Sequence, residues 1–456
     1  MPNYPDYTVD KITSFKELFE RLKSFDNKIA FVNKNISYTY STFCSDIVKV
    51  MSAFDSSEKP VLLNIQDKYL FSVAYFATVL SGNIACLQPF SNDKLSCFEN
   101  FDFVCELNDS VVSNLLGTSK STEAHFRDNK HISTVLCSSG TTATPKAVAL
   151  SQNNIISDLV SGMEKYQFAE NGVYVNIIPY THAFGVVCDL LGPLYSASTI
   201  YLTYDVISFV VGIATFNPTA LNVTPGIVEA LIQRIEAVGD KTKVVGNRLK
   251  KILSGGAGTP AALCEKMASY DIAVFGCYGL SECAPCVSVN RDNYNKFGSA
   301  GLPLNCNTIS IEPSGEIIIK GSNVMIGYLD NSGNVVEELH GEYKTGDIGF
   351  IDSDGFLYVQ GRVDDLMVFS DGNKLMPQII EAELNELGGV KESVVYMIDN
   401  KLSATVVVKD EKYLKNIEDF VRKAVFKGYK IAKVYTTTDP LIRNAMGKLN
   451  RRNYGR

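Results

Sequence analysis

The sequence has no long hydrophobic run and no leader segment, and these absences exclude two classes of protein. The longest mostly apolar stretch, YLFSVAYFATVL at residues 69–80, is shorter than the roughly 18 residues that span a membrane, and it predicts a buried helix. The N-terminal residues show neither the apolar core nor the charged leader of a signal peptide. We therefore expect a cytoplasmic protein with no membrane span.

Positive charge is also scarce, because the formal net charge is −7. A chain without a basic stripe is not expected to bind nucleic acid. The one basic cluster, KLNRRNYGR at residues 448–456, has a solvated tail as its plainest interpretation. The eleven cysteines are scattered without framework spacing, which is typical of a reduced cytosolic protein. Cys283 and Cys286 form a C-x-x-C, but no second pair at zinc spacing accompanies them.

The length of 456 residues predicts more than one domain, because single cores stop growing near roughly 250–300 residues. Up to about residue 270, near-continuously apolar β-rich runs alternate with helical patterns. This alternation predicts an α/β fold in which helices cover largely parallel sheets.

The pattern changes after residue 300. Alternating stretches at 308–321 and 349–361 predict two hairpins, which would form an antiparallel, β-barrel-like part. A mixed α and β pattern then follows. We therefore predict a large N-terminal domain, residues 1–361, and a small α+β C-terminal lid domain, residues 362–456.

The stretch CSSGTTATPKAV at residues 137–148 is rich in hydroxyl side chains and ends near one lysine. It is not a Walker loop, since Pro145 has no N–H to give and Ala147 lacks the metal-binding hydroxyl. The following AVAL predicts a strand, and a helix is expected only after Ser151. The hydroxyls can still donate to phosphate oxygens, with Lys146 as a point charge. The alternative is a solvent-exposed Ser/Thr turn.

Four later motifs follow in order: YGLSE (278–282), YKTGD (343–347), GRVDD (361–365) and NAMGKLNR (444–451). Together with the first stretch they resemble the adenylate-forming superfamily of acyl- and aryl-CoA synthetases, luciferases and peptide-synthetase adenylation domains. The chain is most similar to an AMP-dependent acyl- or aryl-CoA synthetase. The resemblance implies that ATP and a carboxylic acid give an acyl-adenylate, and that a thiol then takes the acyl group.

The resemblance also implies roles for individual residues. Glu282 and Thr141 would bind Mg²⁺, since a hard carboxylate oxygen suits a hard ion. Tyr278 would lie against the adenine, and Asp347, with Arg362 as a second candidate, would bind the ribose. Glu282 could instead be a surface glutamate, and Asp347 or Arg362 could form an interdomain salt bridge. The predicted ATP-binding set is Ser138, Ser139, Gly140, Thr141, Thr142, Lys146, Gly255, Gly256, Ala257, Tyr278, Gly279, Ser281, Asp347, Arg362 and Lys448.

Lys448 resembles the adenylation lysine of the family, which bridges the carboxylate and the α-phosphate. The predicted catalytic residues are therefore Lys448, Glu282, Thr141 and Lys146. In the family the small domain moves between the two half-reactions, and Asp364 stands at the expected hinge. Arg451 and Arg452 beside Lys448 have a solvated surface position as their alternative.

The segment PYTHAFG predicts part of the acyl pocket, to which the resemblance assigns His182, Phe184, Gly185 and Cys277. His182 is expected to line the pocket rather than to transfer protons. The segment lacks the aspartate by which amino-acid-activating members bind an α-amine. We therefore expect a compact aryl acid or a short-to-medium acyl chain, the latter a substrate of fatty acid metabolism.

Several alternatives stay open at the level of sequence. The acceptor is CoA or the phosphopantetheine arm of a carrier protein, and the chain is a monomer or a homodimer. Ala143 and Ala147 replace glycines of the usual loop, and each would cost about 1 kcal/mol if its backbone needed a positive φ. A non-catalytic nucleotide-binding relative is therefore a second hypothesis, and a P-loop ATPase is a third.

Overall fold

The computed structural model describes residues 4–55, 57–118, 125–127, 129, 131–138, 145–168, 171–369, 373–399, 401–442, 449 and 451–454. The chain divides into two compact units. The first comprises Met1–Ser310, Ile318–Tyr343 and Ile351–Tyr358, and the second comprises Ile311–Ile317, Lys344–Phe350 and Val359–Arg456. The predicted domain boundary after residue 361 stays a prediction.

The helices alternate with strands through most of the first unit, as the sequence predicts. Their bounds are α1 (Phe15–Lys23), α2 (Tyr40–Met51), α3 (Lys68–Leu80), α4 (Asp109–Thr118), α5 (Gln152–Lys165), α6 (Gly192–Tyr195), α7 (Val206–Phe216), α8 (Pro225–Val238), α9 (Thr242–Val245), α10 (Ala261–Ala268), α11 (Pro377–Asn385) and α12 (Leu414–Lys423). A π-helix covers Gly185–Leu191, and 3₁₀ turns cover Ser96–Phe98, Ser281–Cys283, Val363–Asp365, Glu411–Tyr413 and Arg451–Asn453.

Two large mixed sheets form the body of the first unit. One has the order β14 (Leu302–Pro303), β13 (Cys286–Val289), β12 (Ala273–Gly279), β11 (Lys251–Ser254), β10 (Ala220–Val223), β8 (Val173–Asn176), β9 (Thr199–Leu202), β1 (Ile29–Asn33), β2 (Ile36–Thr39). The other has the order β18 (Val335–Glu338), β17 (Gly327–Leu329), β7 (Lys146–Leu150), β6 (Thr134–Ser138), β4 (Ile84–Leu87), β3 (Pro60–Leu63), β5 (Cys105–Leu107).

In the nine-stranded sheet the strands from β12 to β1 are parallel, and antiparallel strands lie at both edges. In the seven-stranded sheet β6, β4, β3 and β5 are parallel, whereas β7, β17 and β18 pair antiparallel on one side. Parallel strands need helical crossovers, which explains why helices alternate with them along the chain. The apolar stretch at 69–80 forms most of α3, and nearly all of its side chains are buried. Within the described part of the chain, no helix combines the length and hydrophobicity needed to cross a bilayer.

The two hairpins predicted after residue 300 are present as β15 (Asn307–Ile311), β16 (Glu316–Gly321), β19 (Glu342–Ile351) and β20 (Leu357–Arg362), which form one four-stranded sheet in that order. The second unit contains the pair β21 (Met367–Val368) and β22 (Lys374–Leu375), the sheet β23 (Val390–Ile398), β24 (Lys401–Val408), β27 (Lys433–Thr437), and the pair β25 (Val425–Phe426) and β26 (Tyr429–Lys430). Its own core packs α11 and α12 on these strands. The predicted α/β class, with a smaller α+β part near the C-terminus, is confirmed.

One expectation about cysteine is wrong. The fold brings the 3₁₀ turn Ser96–Phe98 beside β6, and Cys97 and Cys137 are joined there by a disulfide. The cysteines therefore are not all reduced, although the other nine are free. Cys283 and Cys286 of the C-x-x-C are both buried and unbridged. Sequence spacing could not reveal the Cys97–Cys137 pair because forty residues separate its members.

Candidate active site

Gly255 follows the carboxyl end of β11, where three predicted site residues meet. Its N–H donates to the carbonyl of Val223 at 3.1 Å. A Cβ at this position would lie 2.8 Å from Sγ of Cys277 and 3.1 Å from the ring of Phe184. Glycine is therefore the residue that lets the backbone pass between these side chains. Gly256 has φ +81°, a left-handed conformation that also favours glycine, and the exposed Ala257 follows it.

Tyr278 and Gly279 end β12, which pairs antiparallel with β13. Tyr278 is half-buried, and a register shift between these two residues marks the end of the regular strand. The carbonyl of Pro285 leaves no space for a Cβ at Gly279 and accepts a hydrogen bond from the N–H of Leu280 at 2.8 Å. The chain therefore turns tightly from Tyr278 into the 3₁₀ turn that begins at Ser281.

That 3₁₀ turn places Glu282 against strand β17. The Glu282 carbonyl accepts from the N–H of Met325 at 2.8 Å, which fixes the turn. Oε1 of the Glu282 side chain accepts from the Tyr328 hydroxyl at 2.8 Å. The Tyr328 hydroxyl lies 2.9 Å from the Tyr343 hydroxyl, and Nζ of Lys146 lies 4.5 Å from the centre of the Tyr328 ring. One tyrosine therefore contacts both the predicted metal carboxylate and the predicted phosphate lysine.

The two strands that flank the hydroxyl-rich stretch pair antiparallel with each other. Ser138 at the end of β6 pairs with Lys146 at the start of β7, and α5 begins only after Ser151, which caps it together with Asn154. This strand after the lysine confirms that the loop is not a Walker loop, in which a helix would follow. The predicted phosphate ligands Ser139, Gly140, Thr141 and Thr142 lie outside the described residues.

Ala147 resolves one of the two departures from the usual loop. It is buried in β7, paired with Cys137 on one side and Leu329 on the other, and its φ is not positive. Alanine therefore carries no backbone penalty at this position. Ala143 lies outside the described residues.

The predicted acyl-pocket segment forms an unusual helix. The N–H of His182 donates to the Pro179 carbonyl at 3.2 Å, and the His182 carbonyl accepts from Val186 at 2.9 Å. The Pro179 carbonyl fills the space that a Cβ at Gly185 would need, so this position accepts only glycine without a shift of the backbone. The π-helix starts at Gly185, directly after Phe184. Such helices occur frequently at functional sites.

A polar network is buried behind this π-helix. Asp189 accepts hydrogen bonds from the side-chain amides of Asn176 and Asn222, the latter at 3.2 Å. Nζ of Lys68 donates to Oδ1 of Asn176 and to the carbonyl of Ile177 at 3.5 Å. Burial raises the pKa of Asp189 to about 7, against the attraction of Lys68. Burial also lowers the pKa of Lys68 to about 8.

The enclosed space beside the predicted acyl pocket is small. A cavity of about 30 Å³ is bordered by Val187 and Cys188 of the π-helix and by Leu253, two residues before Gly255. That volume is close to what one water molecule occupies in the liquid. An extended acyl chain therefore has no room in this cavity.

In the second unit, Asp347 and Arg362 lie side by side. Oδ1 of Asp347 accepts from a terminal nitrogen of Arg362 at 3.1 Å, and the same nitrogen donates to the Thr345 carbonyl at 3.3 Å. The N–H of Asp347 donates to Oγ1 of Thr345 at 3.0 Å, which fixes the turn. Both residues belong to the second unit, although the predicted boundary after residue 361 would place them in different domains. The expected hinge residue, Asp364, lies in the 3₁₀ turn that follows Arg362.

Arg451 corrects an expectation about the C-terminal cluster. Its guanidinium forms two parallel bonds with the Glu381 carboxylate, one of them 2.8 Å between Nη2 and Oε2. The Arg451 and Glu381 side chains are only 13% and 9% exposed, so the idea of a solvated Arg451 is wrong. Burial raises the pKa of Glu381, although the charge of Arg451 opposes the shift. Lys448 lies outside the described residues, as does the side chain of Arg452.

Comparison with known proteins decides the family. The family model described as AMP-binding enzyme matches residues 91–329, more than half of the chain. The chain belongs to the AMP-binding enzyme family. The 2-succinylbenzoate–CoA ligase of Geobacillus sp. (strain WCH70) is 31% identical over 347 residues, which are 72% of this chain and 68% of that protein. The 2-succinylbenzoate–CoA ligase of Bacillus licheniformis is 30% identical over 70% of this chain and 68% of its own length.

Solved structures show the same fold. The O-succinylbenzoate coenzyme A synthetase (MenE) of Bacillus subtilis in complex with AMP aligns with a TM-score of 0.80 and 23% identity, covering 98% of both chains. The anthranilate CoA ligase AuaEII in complex with anthranoyl-AMP aligns with a TM-score of 0.83 and 18% identity, covering 98% of this chain and 97% of that one. The predicted enzyme class, an AMP-forming acid–thiol ligase, is confirmed by the curated CoA-ligase relatives. A P-loop ATPase is excluded.

The chemistry of Glu282 fits the magnesium ion that the AMP-binding enzyme fold implies. Oε1 is held by the Tyr328 phenol, and no side chain or backbone group in the described ranges donates to Oε2. A carboxylate oxygen oriented in this way is a suitable Mg²⁺ ligand. Thr141, the other predicted ligand, lies outside the described residues.

Sequence reasoning missed Tyr328 and Tyr343 near Glu282 in the first unit, and it missed Glu381 in the second unit. Tyr328 lies in the stretch MIGYL at residues 325–329, where no local pattern indicates chemistry for the tyrosine. Glu381 lies on α11, seventy residues from its partner Arg451, and no local pattern connects the two.

Proposed function

We propose that this AMP-binding enzyme joins 2-succinylbenzoate, or a closely related compact aryl acid, to CoA through an acyl-adenylate. The acid and the acceptor are taken from the names of curated relatives. This chain aligns with 68% of the length of two of these relatives. The observation that carries the activity is the meeting of Glu282 and Lys146 on Tyr328. Activation of an acid by ATP needs a carboxylate that can bind the metal ion and a cation that can bind the phosphates, held close together.

The nucleotide would lie along the ends of β11 and β12. Tyr278 would stack on the adenine, and the backbone at Gly255, Gly256 and Ala257 would pass beside it, which the absence of side chains at the two glycines favours. Asp347 would accept hydrogen bonds from the ribose hydroxyls, and Arg362 orients that carboxylate through their 3.1 Å contact.

The phosphates would bind at the turn between β6 and β7. Lys146 supplies the cation, and the predicted donors at this turn are Ser138, Ser139, Gly140, Thr141 and Thr142. Glu282 and Thr141 would hold Mg²⁺, which when bound neutralises phosphate charge. Gly279 and Ser281 shape the turn that presents Glu282.

Lys448 would neutralise the carboxylate and the α-phosphate when the acid attacks phosphorus. A carboxylate approaching a phosphate brings two anions together, so a cation at this point lowers the barrier. Movement of residues 362–456 about Asp364 would bring Lys448 to the large domain and later expose a site for the thiol. The Arg451–Glu381 pair would fix the chain next to Lys448.

The acid would occupy a pocket bordered by His182, Phe184, Gly185 and Cys277. The sequence-based assignment to fatty acid metabolism is not supported, because the curated relatives are named for an aromatic acid. A cytoplasmic location and a monomeric or dimeric state stay predictions.

The experiment that tests this function is acid-dependent exchange of labelled pyrophosphate into ATP. The panel contains 2-succinylbenzoate, benzoate, anthranilate, malonate and octanoate, with a known CoA ligase as the positive control. We expect the fastest exchange with 2-succinylbenzoate. Exchange that is fastest with octanoate would overturn the aryl-acid assignment, and no exchange with any acid would favour a non-catalytic relative. Replacing CoA by a phosphopantetheinylated carrier protein in the full reaction distinguishes the two acceptors.

A further inference from the structure

Tyr328 occupies the middle of β17, between the phosphate-loop strand and the sheet edge. It pairs with Val148 of β7 on one side and with Glu337 of β18 on the other. Its side chain is half-buried. Its hydroxyl and its ring each contact a group of the candidate site. The predicted set of ligand-binding residues does not include Tyr328 and gives it no role.

The hydroxyl of Tyr328 donates a hydrogen bond to the Glu282 carboxylate. An ionised carboxylate only accepts, so the phenol must be the donor in the 2.8 Å contact to Oε1. The Tyr343 hydroxyl, 2.9 Å away, can then donate to the phenol oxygen. The two phenols therefore form a directed chain that ends on one carboxylate oxygen.

The ring of Tyr328 contacts the ammonium group of Lys146. The ammonium lies over its face, 4.5 Å from the centroid, within the range of a cation–π contact. Lys146 and Glu282 carry opposite charges and share this one aromatic side chain. Without the ring, the two groups could approach and pair directly, and each would then be less available to an incoming ligand.

We propose that Tyr328 is a positioning residue that holds the Lys146 ammonium and the Glu282 carboxylate apart. The ring keeps the cation available for phosphate oxygens, and the hydroxyl fixes one carboxylate oxygen so that the other can face a divalent cation. This inference rests on the proposed nucleotide site, and it assigns the hydroxyl and the ring to different ligands. The two functions can be separated by substitution.

Tyr328→Phe removes only the hydroxyl, and Tyr328→Leu removes both the hydroxyl and the ring. The measurement is calorimetric binding of ATP to the full chain, once with EDTA and once with Mg²⁺. For Tyr328→Phe we expect unchanged ATP affinity in EDTA and a roughly tenfold smaller gain on adding Mg²⁺, since a hydrogen bond to a charged group is lost. For Tyr328→Leu we expect ATP affinity in EDTA to fall as well, by about threefold or more.

The control is Tyr40→Phe, which also deletes a buried phenol hydroxyl, one that donates to the Ser198 carbonyl at 2.8 Å. This residue lies in α2, outside the candidate site, and its variant should bind ATP with the affinity and Mg²⁺ gain of the wild type. If Tyr328→Leu does not fold, the metal dependence of Tyr328→Phe decides alone. An Mg²⁺ gain in Tyr328→Phe equal to that of the wild type overturns the proposal, and so does equal loss in EDTA and in Mg²⁺.

Failure of the proposed function gives a different result. A wild-type chain that binds ATP in an Mg²⁺-dependent manner but shows no pyrophosphate exchange with any acid contradicts the ligase activity, while the Tyr328 variants still test positioning. A wild-type chain whose ATP affinity does not change with Mg²⁺ overturns the inference about Tyr328, whichever acid it activates.

Discussion

Arg451 binds Glu381 through two parallel hydrogen bonds in a largely buried site of the second unit. Glu381 also accepts from the N–H of Val395 at 2.7 Å, so one carboxylate connects α11, β23 and the C-terminal segment. Paired buried charges of this kind contribute through geometry, since the cost of burying them offsets much of their attraction. Lys448 precedes Arg451 by three residues in the sequence, and the proposed role of the pair is to fix the chain beside that lysine.

The first prediction concerns this pair. Arg451→Lys keeps the charge but loses the planar fork, and Glu381→Gln leaves the largely buried guanidinium with Asp365, 3.5 Å away, as its remaining anion. We expect both variants to lower pyrophosphate exchange and the midpoint of thermal unfolding. Breaking a buried pair on one side costs about 3–5 kcal/mol, so Glu381→Gln should be the more damaging.

Arg422→Lys is the matched control, because Arg422 pairs with Glu418 on the exposed surface of α12. Exposed pairs of this type contribute about 0.3–0.5 kcal/mol, so exchange and unfolding should change little. Unchanged exchange in both Arg451→Lys and Glu381→Gln would contradict a role for the pair in fixing Lys448.

Lys448 itself gives the second prediction. Lys448→Ala should abolish adenylation if the proposed role holds, because the cation proposed to bridge carboxylate and phosphate is lost, whereas CoA thioester formation from supplied acyl-adenylate should continue. Both half-reactions are measured by mass spectrometry of the products. Lys433→Ala, at an exposed lysine paired with Asp399, serves as the control and should retain both. Equal loss of both half-reactions in Lys448→Ala would show that the assigned role is wrong.

Gly255 gives a third prediction, for the acyl pocket. In Gly255→Ala the new Cβ would be 2.8 Å from Sγ of Cys277, and overpacking of about 1–3 kcal/mol should reduce kcat/KM for the acid by roughly tenfold. Adding Cys277→Ala removes that sulfur and should restore part of the activity. Gly258→Ala is the control, since a Cβ there has no atom within 4 Å. If the double variant is no better than Gly255→Ala, the close approach of Gly255 and Cys277 does not limit the pocket.

The fourth prediction concerns pH and Asp189. The pKa of this carboxyl is raised to about 7 in the folded chain, and an unfolded aspartate titrates near 3.9, so the folded chain holds the proton more tightly. Its contribution to stability is fully present below about pH 4 and is lost as the pH rises towards 7, by up to about 1.4 kcal/mol per unit. The thermal midpoint of the wild type, relative to Asp189→Asn, should therefore fall between pH 5 and pH 7. A difference that stays constant over this range would contradict the raised pKa.

The sequence predicts the individual helices and strands of this fold well. It predicts poorly which distant side chains contact one another. The runs that became β3, β6, β8 and β11 are short and continuously apolar, and the hydroxyl of Ser151 marks the start of α5, so local patterns suffice for them. The π-helix was not predicted, because an apolar stretch carries no sign of its hydrogen-bond spacing.

The site shows the same division. Glu282 and Lys146 stand in recognisable motifs, but their common contact, Tyr328, is 46 residues from Glu282 and reaches it only because β17 pairs with β7. The pairs Arg451–Glu381 and Cys97–Cys137 likewise depend on tertiary structure. Motifs therefore predicted which groups would contact ligands, whereas the residues that orient those groups required the fold.

The central claim is that this chain consumes ATP to join an aryl acid to CoA. The most direct test incubates the purified protein with ATP, Mg²⁺, 2-succinylbenzoate and CoA, and identifies every product by mass. The account predicts AMP, pyrophosphate and the CoA thioester of the acid in equal amounts, with none formed when the acid is omitted. Formation of ADP, or nucleotide binding with no thioester from any acid of the panel, would contradict it.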